Sequence, residues 1–428
     1  MAFRLMLLLT LIACASAASA ASLPASAFMG DPSANPHSKI AEAVFAHKAA
    51  WSGPIIPSAS PDIIVAQDGS GNFKTIQEAI NYVSPYTVKP VKTIIFVKAG
   101  TYFEEVVIPS THQFITLIGE PGLTRVKYNK YSAKLDANGN PIGTAGTGTL
   151  AALGDDFTMI NMIVENSSPR PPPATIGFQA VAFRASGNRT VVYNCSFYSY
   201  QDTLYAQDGF QYYKNCYIFG EMDFVFGNAR AIFDSCTFYM DSMGTAAVTA
   251  QKRDSPTNDT CFVIMYSQIT GKNQGWLGRA WGKYACTIVA YTAMDNVIAA
   301  DGWSDFTVPA RRLTTFYAEY NNRGIGSVLE GRVWWQRVLS ARQVKKYLTT
   351  DYIGLGTWIP QMPVVNRNVV TPKLVPKTPP ANAKWRSCEL DDNELDESQA
   401  KKNKKCSKCC MKKALLSQQR DCMNYCMK

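Results

Sequence analysis

The hydrophobic residues between about residues 61 and 360 form short runs that Gly, Asn and Asp interrupt. Examples are "KTIIFVKAG", "QFITLIGE" and "CTIVAYTAMDNVI". Short runs rich in β-branched residues and bounded by turn formers are typical of β-strands. One early segment, "FKTIQEAINYVS", instead places Ile76, Ala79, Ile80 and Val83 at helical spacing. We therefore expect many short strands and a short N-terminal helix.

A repeat runs through the middle of the chain. Its clearest markers are cysteines separated by 21, 20, 25 and 25 residues: Cys195, Cys216, Cys236, Cys261 and Cys286. Short strands that recur at such a period predict a solenoid, and continuous apolar strands favour a parallel sheet with a buried inner face. The expected fold is therefore an all-β parallel β-helix. The cysteines are expected to form an interior ladder of small side chains, with one stacked pair close enough for a disulfide as the alternative.

Two acidic residues occupy the same point of consecutive repeats. Asp202 and Asp223 each lie seven residues after a repeated cysteine. Because neighbouring strands lie about 4.8 Å apart, their carboxyl groups are expected side by side, roughly 5 Å apart. Gln201 adjoins Asp202, and Gln179, 23 residues earlier, is expected on the preceding coil. The sequence thus predicts a rung of Gln179, Asp202 and Asp223 on an otherwise apolar sheet.

Such a rung is suited to acid–base chemistry. Two close carboxylates cannot both ionise freely, so one pKa rises while the other stays low. The protonated acid then serves as general acid and the anion as nucleophile. Arg279 is the natural cation to keep one carboxylate charged, and the amides of Gln179 and Gln201 are suitable donors to an oxyanion. The alternative is that these side chains only satisfy hydrogen bonds at coil corners.

The beginning of the chain indicates export. Residues 1–20 carry Arg4, then an apolar run and small residues up to Ala20, which is the pattern of a secretory signal peptide. The run is too short to span a bilayer, and no later segment reaches about 18 consecutive apolar residues, so no membrane segment is expected in the mature protein. Residues 21–61 form an N-terminal arm. A net charge of +10 in an exported chain favours an anionic polysaccharide over nucleic acid, although charge also serves solubility.

Two segments of unusual composition follow the repeats. Residues 361–386 are rich in proline and are expected to form a semi-rigid linker. Residues 387–428 hold six cysteines: Cys388, Cys406, Cys409, Cys410, Cys422 and Cys426. In an exported chain this predicts a small disulfide-rich C-terminal tail with about three disulfides in any of 15 pairings. Zinc is the alternative, which the oxidising compartment and the lack of His in the tail disfavour. No metal centre or cofactor is expected.

Several motifs together resemble one family. "GFQAVAFR", "YQDTLY", "GEMDFVFGNA", "TAQKR" and "LGRAWG" stand in the order and spacing of the pectin methylesterases. "DGSGNFKTIQEAI", "KAGTYFEEVVI" and "DGWSDF" extend the resemblance over about residues 62–356. The chain is most similar to secreted plant members without the N-terminal inhibitor-like pro-domain, because residues 21–61 are too few for such a bundle.

The resemblance implies a right-handed parallel β-helix, over residues 62–360, that removes methyl groups from esterified homogalacturonan (pectin) and releases methanol. By the family's assignment, Asp223 is the nucleophile, and Asp202 protonates departing methanol and then activates water. Gln179 and Gln201 would stabilise the oxyanion, and Arg279 would orient Asp223 and keep it charged. The resemblance further implies a cell-wall location, a monomer without a cofactor, and a proteinaceous inhibitor as a candidate partner.

Residues outside the acidic pair are candidates for binding the sugar chain. In the family pattern Trp281 would line the sugar subsites, and Thr144 matches a substrate-contacting threonine. Flat rings suit sugar faces, so the further candidates are Tyr205, Phe226 and Trp303, of which the first two could equally be core residues.

The chain departs from the family pattern at four places beside the site, one of which is the small, Gly-rich stretch "GTAGTGTLAALG" around Thr144. Phe178 stands where many plant members have His, and Ala280 replaces a common Pro. The segment "SSPRPPPATIG" looks like an insertion. These departures bear on subsite preference and leave the expected chemistry intact.

Two neighbouring acidic residues are also compatible with functions other than ester hydrolysis. Carboxyl groups about 5 Å apart also suit a retaining glycosidase. The polygalacturonases, however, use His, and all three histidines here, His37, His47 and His112, precede the acidic pair. The same absence disfavours a Ser-His-Asp esterase. A non-enzymatic scaffold, with the tail as its wall-binding part, is the remaining alternative.

Overall fold

In the computed structural model, the structure is described for residues 60–85, 92–172, 175–244 and 246–354. From β2 to β26 the chain visits three sheets in a fixed order, one strand in each, and then begins the next coil; β1 and β27 extend the first sheet at its two ends. Neighbouring strands of every sheet are parallel. This arrangement is the parallel β-helix that the repeat predicted.

The strands of each sheet follow one another up the coil. The first sheet contains β1 (Ile63–Val65), β2 (Thr93–Val97), β5 (Ile115–Gly119), β8 (Thr158–Ile160), β11 (Thr190–Tyr193), β14 (Phe210–Lys214), β17 (Arg230–Asp234), β20 (Phe262–Met265), β23 (Cys286–Ala290), β26 (Phe316–Tyr320) and β27 (Arg337–Val338). The second contains β3 (Gly100–Phe103), β6 (Thr124–Tyr128), β9 (Ile163–Asn166), β12 (Ser196–Tyr198), β15 (Tyr217–Gly220), β18 (Thr237–Asp241), β21 (Gln268–Lys272) and β24 (Ala293–Met294). The third contains β4 (Val106–Ile108), β7 (Leu150–Ala152), β10 (Phe183–Ala185), β13 (Leu204–Ala206), β16 (Met222–Gly227), β19 (Ala247–Gln251), β22 (Trp276–Arg279) and β25 (Trp303–Ser304).

The core lies inside the coil, between the three sheets. Stacked rings run along it, such as Phe183 on Phe197 with centroids 5.3 Å apart and Tyr213 on Phe233 at 4.8 Å. All four side chains are fully buried. Since burying one Phe side chain stabilises by roughly 1.5–3 kcal/mol, these ring pairs stabilise the packing of the coils that carry them.

A ladder of left-handed residues marks the corner between the first and second sheets. Asn161, Asn194, Asn215 and Ser235 have φ values of 58°, 52°, 54° and 56°. Asn tolerates this conformation better than most residues. The Asn side chains also connect neighbouring coils, since Nδ2 of Asn194 donates to Oδ1 of Asn161 at 2.7 Å. Successive members are 33, 21 and 20 residues apart. The coils thus differ in length while keeping this corner in register.

The cysteines divide into two groups, which corrects the single ladder expected from their spacing. Cys195, Cys216 and Cys236 directly follow the left-handed corner residues and are buried in the core. Cys261 and Cys286 instead lie at the start of first-sheet strands and are joined by a disulfide. The coil after Cys236 places Ser267, not Cys261, at the equivalent corner position, since Asp234 pairs with Met265. The 25-residue step from Cys236 to Cys261 was therefore a coincidence of the count, whereas the step from Cys261 to Cys286 is one true coil.

Short helices flank the sheets. Helix α1 (Ile76–Tyr82) lies within the segment whose spacing predicted a helix, and it buries Ile76, Ala79 and Ile80 against the first coils. A capping box between Thr75 and Glu78 begins it. After β27 come α2 (Ala341–Val344) and the 3-10 turns Lys345–Tyr347 and Thr350–Ile353; earlier 3-10 turns are Thr144–Thr147, Pro309–Leu313 and Ile325–Ser327.

Several expected segments fall outside the described residues. They are the signal peptide (1–20), the N-terminal arm (21–61) except its last two residues, the proline-rich linker (361–386) and the cysteine-rich tail (387–428). Over the residues that are described, no helix combines the length and hydrophobicity needed to span a bilayer.

Candidate active site

The two aspartates of the repeat lie on adjacent coils, where two neighbouring strands of the third sheet, β13 and β16, begin. Gln201 bridges Met222, and Leu204 pairs with Val225, so the register places Asp202 opposite Asp223. The amide of Asp202 donates to the carbonyl of Met222 at 3.0 Å. Adjacent parallel strands lie about 4.8 Å apart, so the two side chains leave neighbouring strands at equivalent points. The structure thus brings together the pair that the repeat predicted.

Both aspartates have left-handed backbones, with φ of 65° at Asp202 and 51° at Asp223. This region is sparsely populated by residues other than Gly and clusters at functional sites. At Asp223 the sheet is also irregular, because three steps along β16 from Met222 to Val225 face only two along β19 from Ala247 to Thr249. A bulge of this kind re-aims the side chain it carries. Here it turns Asp223 out of the regular alternation of β16.

Arg279, at the end of β22, holds Asp223 with a two-pronged contact. Its Nε donates to Oδ1 at 2.6 Å, and its Nη2 donates to Oδ2. Bidentate pairs of this kind fix geometry as well as charge. The guanidinium also lies over the ring of Phe306, with its central carbon 4.2 Å from the ring centroid. Arg279 therefore contacts the carboxylate through its N–H groups and an aromatic ring through its face.

Burial and charge separate the two carboxyl groups. Each aspartate is only 7% exposed. Burial, reinforced by the negative charge of Asp223, raises the pKa of Asp202 well above its ordinary value. Burial also raises the pKa of Asp223, but the hydrogen bonds and positive charge of Arg279 oppose that rise. When the pair holds a single proton, the site therefore favours the proton on Asp202 and the negative charge on Asp223.

The two glutamines belong to adjacent coils. The pairing of Phe183 with Leu204 begins after Gln179, so no strand pairing fixes the register of Gln179 itself. The rung of Gln179, Asp202 and Asp223 stays a prediction. The side-chain hydroxyl of Ser132 donates to Oε1 of Gln179, which fixes the amide with its Nε2 as the remaining donor end. The carbonyl of Gln201 accepts from Ala180 at 3.0 Å.

Aromatic residues form a row beside the aspartates. The ring of Tyr205 stacks on Phe226 with centroids 4.2 Å apart, and Phe226 lies 6.0 Å from Trp281. Phe226 is buried, whereas Tyr205 and Trp281 are half-buried. Nζ of Lys252 lies 5.1 Å from the Trp281 ring centroid. The two outer rings therefore offer partly exposed faces, and Phe226 supports them from within.

Thr144 begins a 3-10 turn near this row. The carbonyl of the next residue, Ala145, accepts from Nη1 of Arg184 at 3.1 Å. The guanidinium carbon of Arg184 in turn lies 6.0 Å from the Tyr205 ring centroid. Arg184 thus links the turn of Thr144 to the aromatic row.

Trp303 is not a surface ring, which contradicts its expected place in a sugar subsite. It is 1% exposed and stacks on Tyr317 with centroids 4.4 Å apart. Its Nε1 lies 3.4 Å from Oε1 of Glu319, which forms a buried ion pair with Nε of Arg332 at 2.8 Å. A buried indole N–H needs such a partner. The motif "DGWSDF" therefore supplies a core residue at its tryptophan and the ring over Arg279 at its phenylalanine.

Arg170 is a contact residue that the pattern analysis missed. It belongs to the segment "SSPRPPPATIG", and its Nη2 donates to the carbonyl of Asp241 at 2.7 Å and to that residue's carboxylate. Its Nε lies 3.3 Å from Oε2 of Glu221, and its guanidinium carbon lies 4.5 Å from the Tyr200 ring centroid. Tyr200 and Glu221 each precede an active-site aspartate by two residues. The lone arginine in a proline-rich stretch was the available signal.

Comparison with known proteins agrees with this geometry. The family model described as Pectinesterase matches residues 62–356. A putative pectinesterase 63 from Arabidopsis thaliana is 35% identical over 296 residues, which cover 69% of this chain and 85% of the relative. A probable pectinesterase 8 from the same plant is 34% identical over 308 residues, with 69% and 76% covered.

A solved structure extends the agreement to three dimensions. The pectin methylesterase from carrot superposes with a TM-score of 0.65 at 30% identity, covering 71% of this chain and 96% of the carrot chain. Sequence similarity, strand architecture and the matched range all coincide over the described coils. The chain therefore belongs to the pectinesterase family of carboxylic ester hydrolases.

Proposed function

We propose that this chain removes methyl groups from methyl-esterified homogalacturonan, with Asp223 as nucleophile and Asp202 as general acid and base. The observation that carries the assignment is the asymmetry of the pair. The bidentate contact of Arg279 favours the anion at Asp223, while burial and the neighbouring charge favour the protonated form at Asp202. One ionised and one protonated carboxyl group are what a nucleophile and an acid require.

In the first half of the reaction, the carboxylate of Asp223 attacks the carbonyl carbon of the methyl ester. A C–O bond forms to the enzyme, and the carbonyl oxygen takes the negative charge. The amide N–H groups of Gln179 and Gln201 are the proposed donors to that oxygen, since preorganised donors stabilise developing charge. The tetrahedral intermediate then expels the methoxy group, which takes the proton of Asp202 and departs as methanol.

In the second half, Asp202 is ionised and acts as a base. It takes a proton from water while the water oxygen attacks the acyl carbon of the anhydride on Asp223. Collapse releases a free galacturonate carboxyl group, regenerates the carboxylate of Asp223 and leaves Asp202 protonated. No cofactor is needed, because every proton passes between Asp202, methanol and water.

The substrate chain is proposed to lie along the partly exposed rings of Tyr205 and Trp281, near Thr144. Flat apolar rings suit the faces of pyranose sugars, and the half-buried setting of these rings keeps them rigid. With the expected signal peptide at residues 1–20, the proposed place of action is the plant cell wall, where esterified pectin is found.

Substitution of each aspartate tests the assignment. Asp223→Asn and Asp202→Asn are expected to fold and to release methanol from methylated pectin at least about 10²-fold more slowly, the scale for loss of a positioned catalytic group. Asp208→Asn, an exposed residue of the same coil as Asp202, is the matched control and should keep its rate. Near-normal turnover in either test variant contradicts its role. New reducing ends in place of methanol would indicate a glycosidase instead.

A further inference from the structure

A second concave site lies away from the aspartates, where the first sheet ends. Strands β26 and β27, helix α2 and the 3-10 turn after it line an open cavity of about 570 Å³. Its lining includes Phe316, Arg337, Arg342, Gln343, Lys346 and Tyr347. This volume falls within the range of about 300–1,000 Å³ that is usual for ligand sites. The active-site aspartates instead belong to the third sheet.

The charge of this cavity has one sign. Arg337, Arg342 and Lys346 are exposed cations, and no acidic side chain is among the lining residues. Within the described part of the chain, none of the three forms an ion pair, whereas Arg312 and Lys252 at other exposed places do. Clefts lined by one sign of charge attract ligands of the opposite sign. The positive charge of its lining therefore favours binding of an anion in this cavity.

Aromatic rings form part of the wall. The guanidinium carbon of Arg337 lies 4.9 Å from the Phe316 ring centroid, and Nζ of Lys346 lies 4.6 Å from that of Tyr347. A cation over a ring is held in place without losing its charge. The ligand should accordingly combine carboxylate groups with an apolar face, as a uronate sugar does.

We propose that this cavity binds a de-esterified stretch of galacturonan through its carboxylates. The inference rests on the proposed function, because the anionic polymer is what hydrolysis of the methyl esters produces. Arginine suits carboxylates in particular, since its planar donors match both oxygens. A chain already de-esterified would be held here, while esterified stretches, which lack the charge, would not.

Direct binding to the full-length protein tests the site. Calorimetric titration with unmethylated oligogalacturonate at low salt should show at least about tenfold weaker binding in the triple variant Arg337→Ala/Arg342→Ala/Lys346→Ala than in the wild type. The single variants Arg342→Gln and Lys346→Gln should each weaken binding and thereby guard against misfolding of the triple variant. Lys345→Ala is the matched control, because Lys345 is exposed and adjacent but does not line the cavity.

Salt and ligand controls make the outcome decisive. The difference between wild type and triple variant should shrink as ionic strength rises, because exposed charges are screened. A neutral galactan of similar length should bind wild type and triple variant alike. Equal oligogalacturonate affinity in wild type and triple variant, or an equal loss in Lys345→Ala, overturns the proposal. Methanol release is measured separately. A wild-type protein that binds oligogalacturonate but releases no methanol contradicts the proposed reaction. Equal binding by wild type and triple variant, with methanol release intact, contradicts only this site.

Discussion

Arg279 donates to both carboxylate oxygens of Asp223, with its Nε 2.6 Å from Oδ1, while its guanidinium lies against the ring of Phe306. Asp202, one coil away, is affected by the same charge only at longer range. A repeat alone would make the two acids equivalent. The single arginine, reaching them from β22, is what makes them different.

The bidentate contact of Arg279 with Asp223 should contribute to kcat in addition to the positive charge of Arg279. Arg279→Lys keeps a cation but loses the bidentate contact, so kcat for methanol release should fall about tenfold or more. Arg279→Gln leaves Asp223 buried without a cation. Because the opposing influence on Asp223 is removed, its pKa should rise, and the acidic limb of the pH–rate profile should move to higher pH.

The control for this prediction is another arginine fork. Arg189 holds Asp156 through Nε at 2.6 Å and Nη2 at 2.6 Å, away from the aspartate pair. Arg189→Lys should leave the pH–rate profile in place. If the acidic limb of the pH–rate profile does not move in Arg279→Gln, Arg279 does not govern the ionisation of Asp223.

Asp202 should make the protein less stable at neutral pH than it would be without it. Its folded-state pKa is raised above the unfolded value, so the folded state binds the proton more tightly, and stability is lost as pH rises through the folded pKa. Asn tolerates the left-handed backbone at this position. Asp202→Asn should therefore raise the midpoint of thermal unfolding at pH 7–8 by at least about 2 °C.

The pH dependence of that gain is the discriminating measurement. Near pH 4 wild type and Asp202→Asn should differ little, because Asp202 is then protonated in the folded state. The difference should grow toward alkaline pH. Asp208→Asn, at an exposed site, should show no such trend, and an Asp202→Asn variant that is less stable at pH 8 would refute the buried-charge argument.

Arg170 is expected to act as a positioning residue for the aspartates. It contacts Tyr200 and Glu221, each two residues before an active-site aspartate. Since small displacements of reacting groups can cost up to about 10²-fold in rate, Arg170→Ala should lower kcat about tenfold or more, and Arg170→Lys should recover part of it. The measurements are kcat and KM for methanol release, beside the midpoint of thermal unfolding.

A residue with the same kind of contacts serves as control. Arg125 pairs with Glu165 and lies 5.9 Å from the ring centroid of Tyr198, but it flanks neither aspartate. Arg125→Ala should affect stability about as much as Arg170→Ala and leave kcat unchanged. If both variants lower kcat in proportion to stability, Arg170 is structural only.

The two tryptophans should respond oppositely to truncation. Trp281 is half-buried beside the aromatic row, so Trp281→Ala should raise KM for pectin about tenfold with little change in stability. Trp303 is core, and Trp303→Ala should cost about 3–5 kcal/mol of unfolding free energy in urea denaturation. A stability loss confined to Trp281→Ala would reverse the two assignments.

Periodicity predicted the parts of the site that follow from counting. The seven-residue offset from Cys195 and Cys216 put Asp202 and Asp223 in register, because the coil between them has the regular length. Counting failed where coil lengths changed: Cys261 follows Cys236 by one apparent step, yet it precedes a first-sheet strand whereas Cys236 precedes a second-sheet strand. Loop insertions shift such counts without leaving a trace in the pattern.

The contacts that irregular segments make could not be predicted from the strand period. The ring of Phe306 over Arg279 and the contacts of Arg170 depend on how irregular segments fold back, which no strand period encodes. The exposure of Trp303 was misjudged for a related reason. Trp303 lies in the core beside the buried ion pair of Glu319 and Arg332. These two residues are 13 positions apart in the chain, and the strand period does not predict their contact.

The unequal spacing of the left-handed corners has a consequence for how this architecture can diversify. The steps that carry Asp202 and Asp223 are 21 and 20 residues, whereas the step before them is 33, with the added length outside the sheets. Arg170 and Gln179 both lie within that added length, so a lineage that lengthens or shortens it alters the recognition surface and the setting of the reacting groups together. Selection on polymer preference and selection on hydrolysis therefore act on the same stretch of the gene.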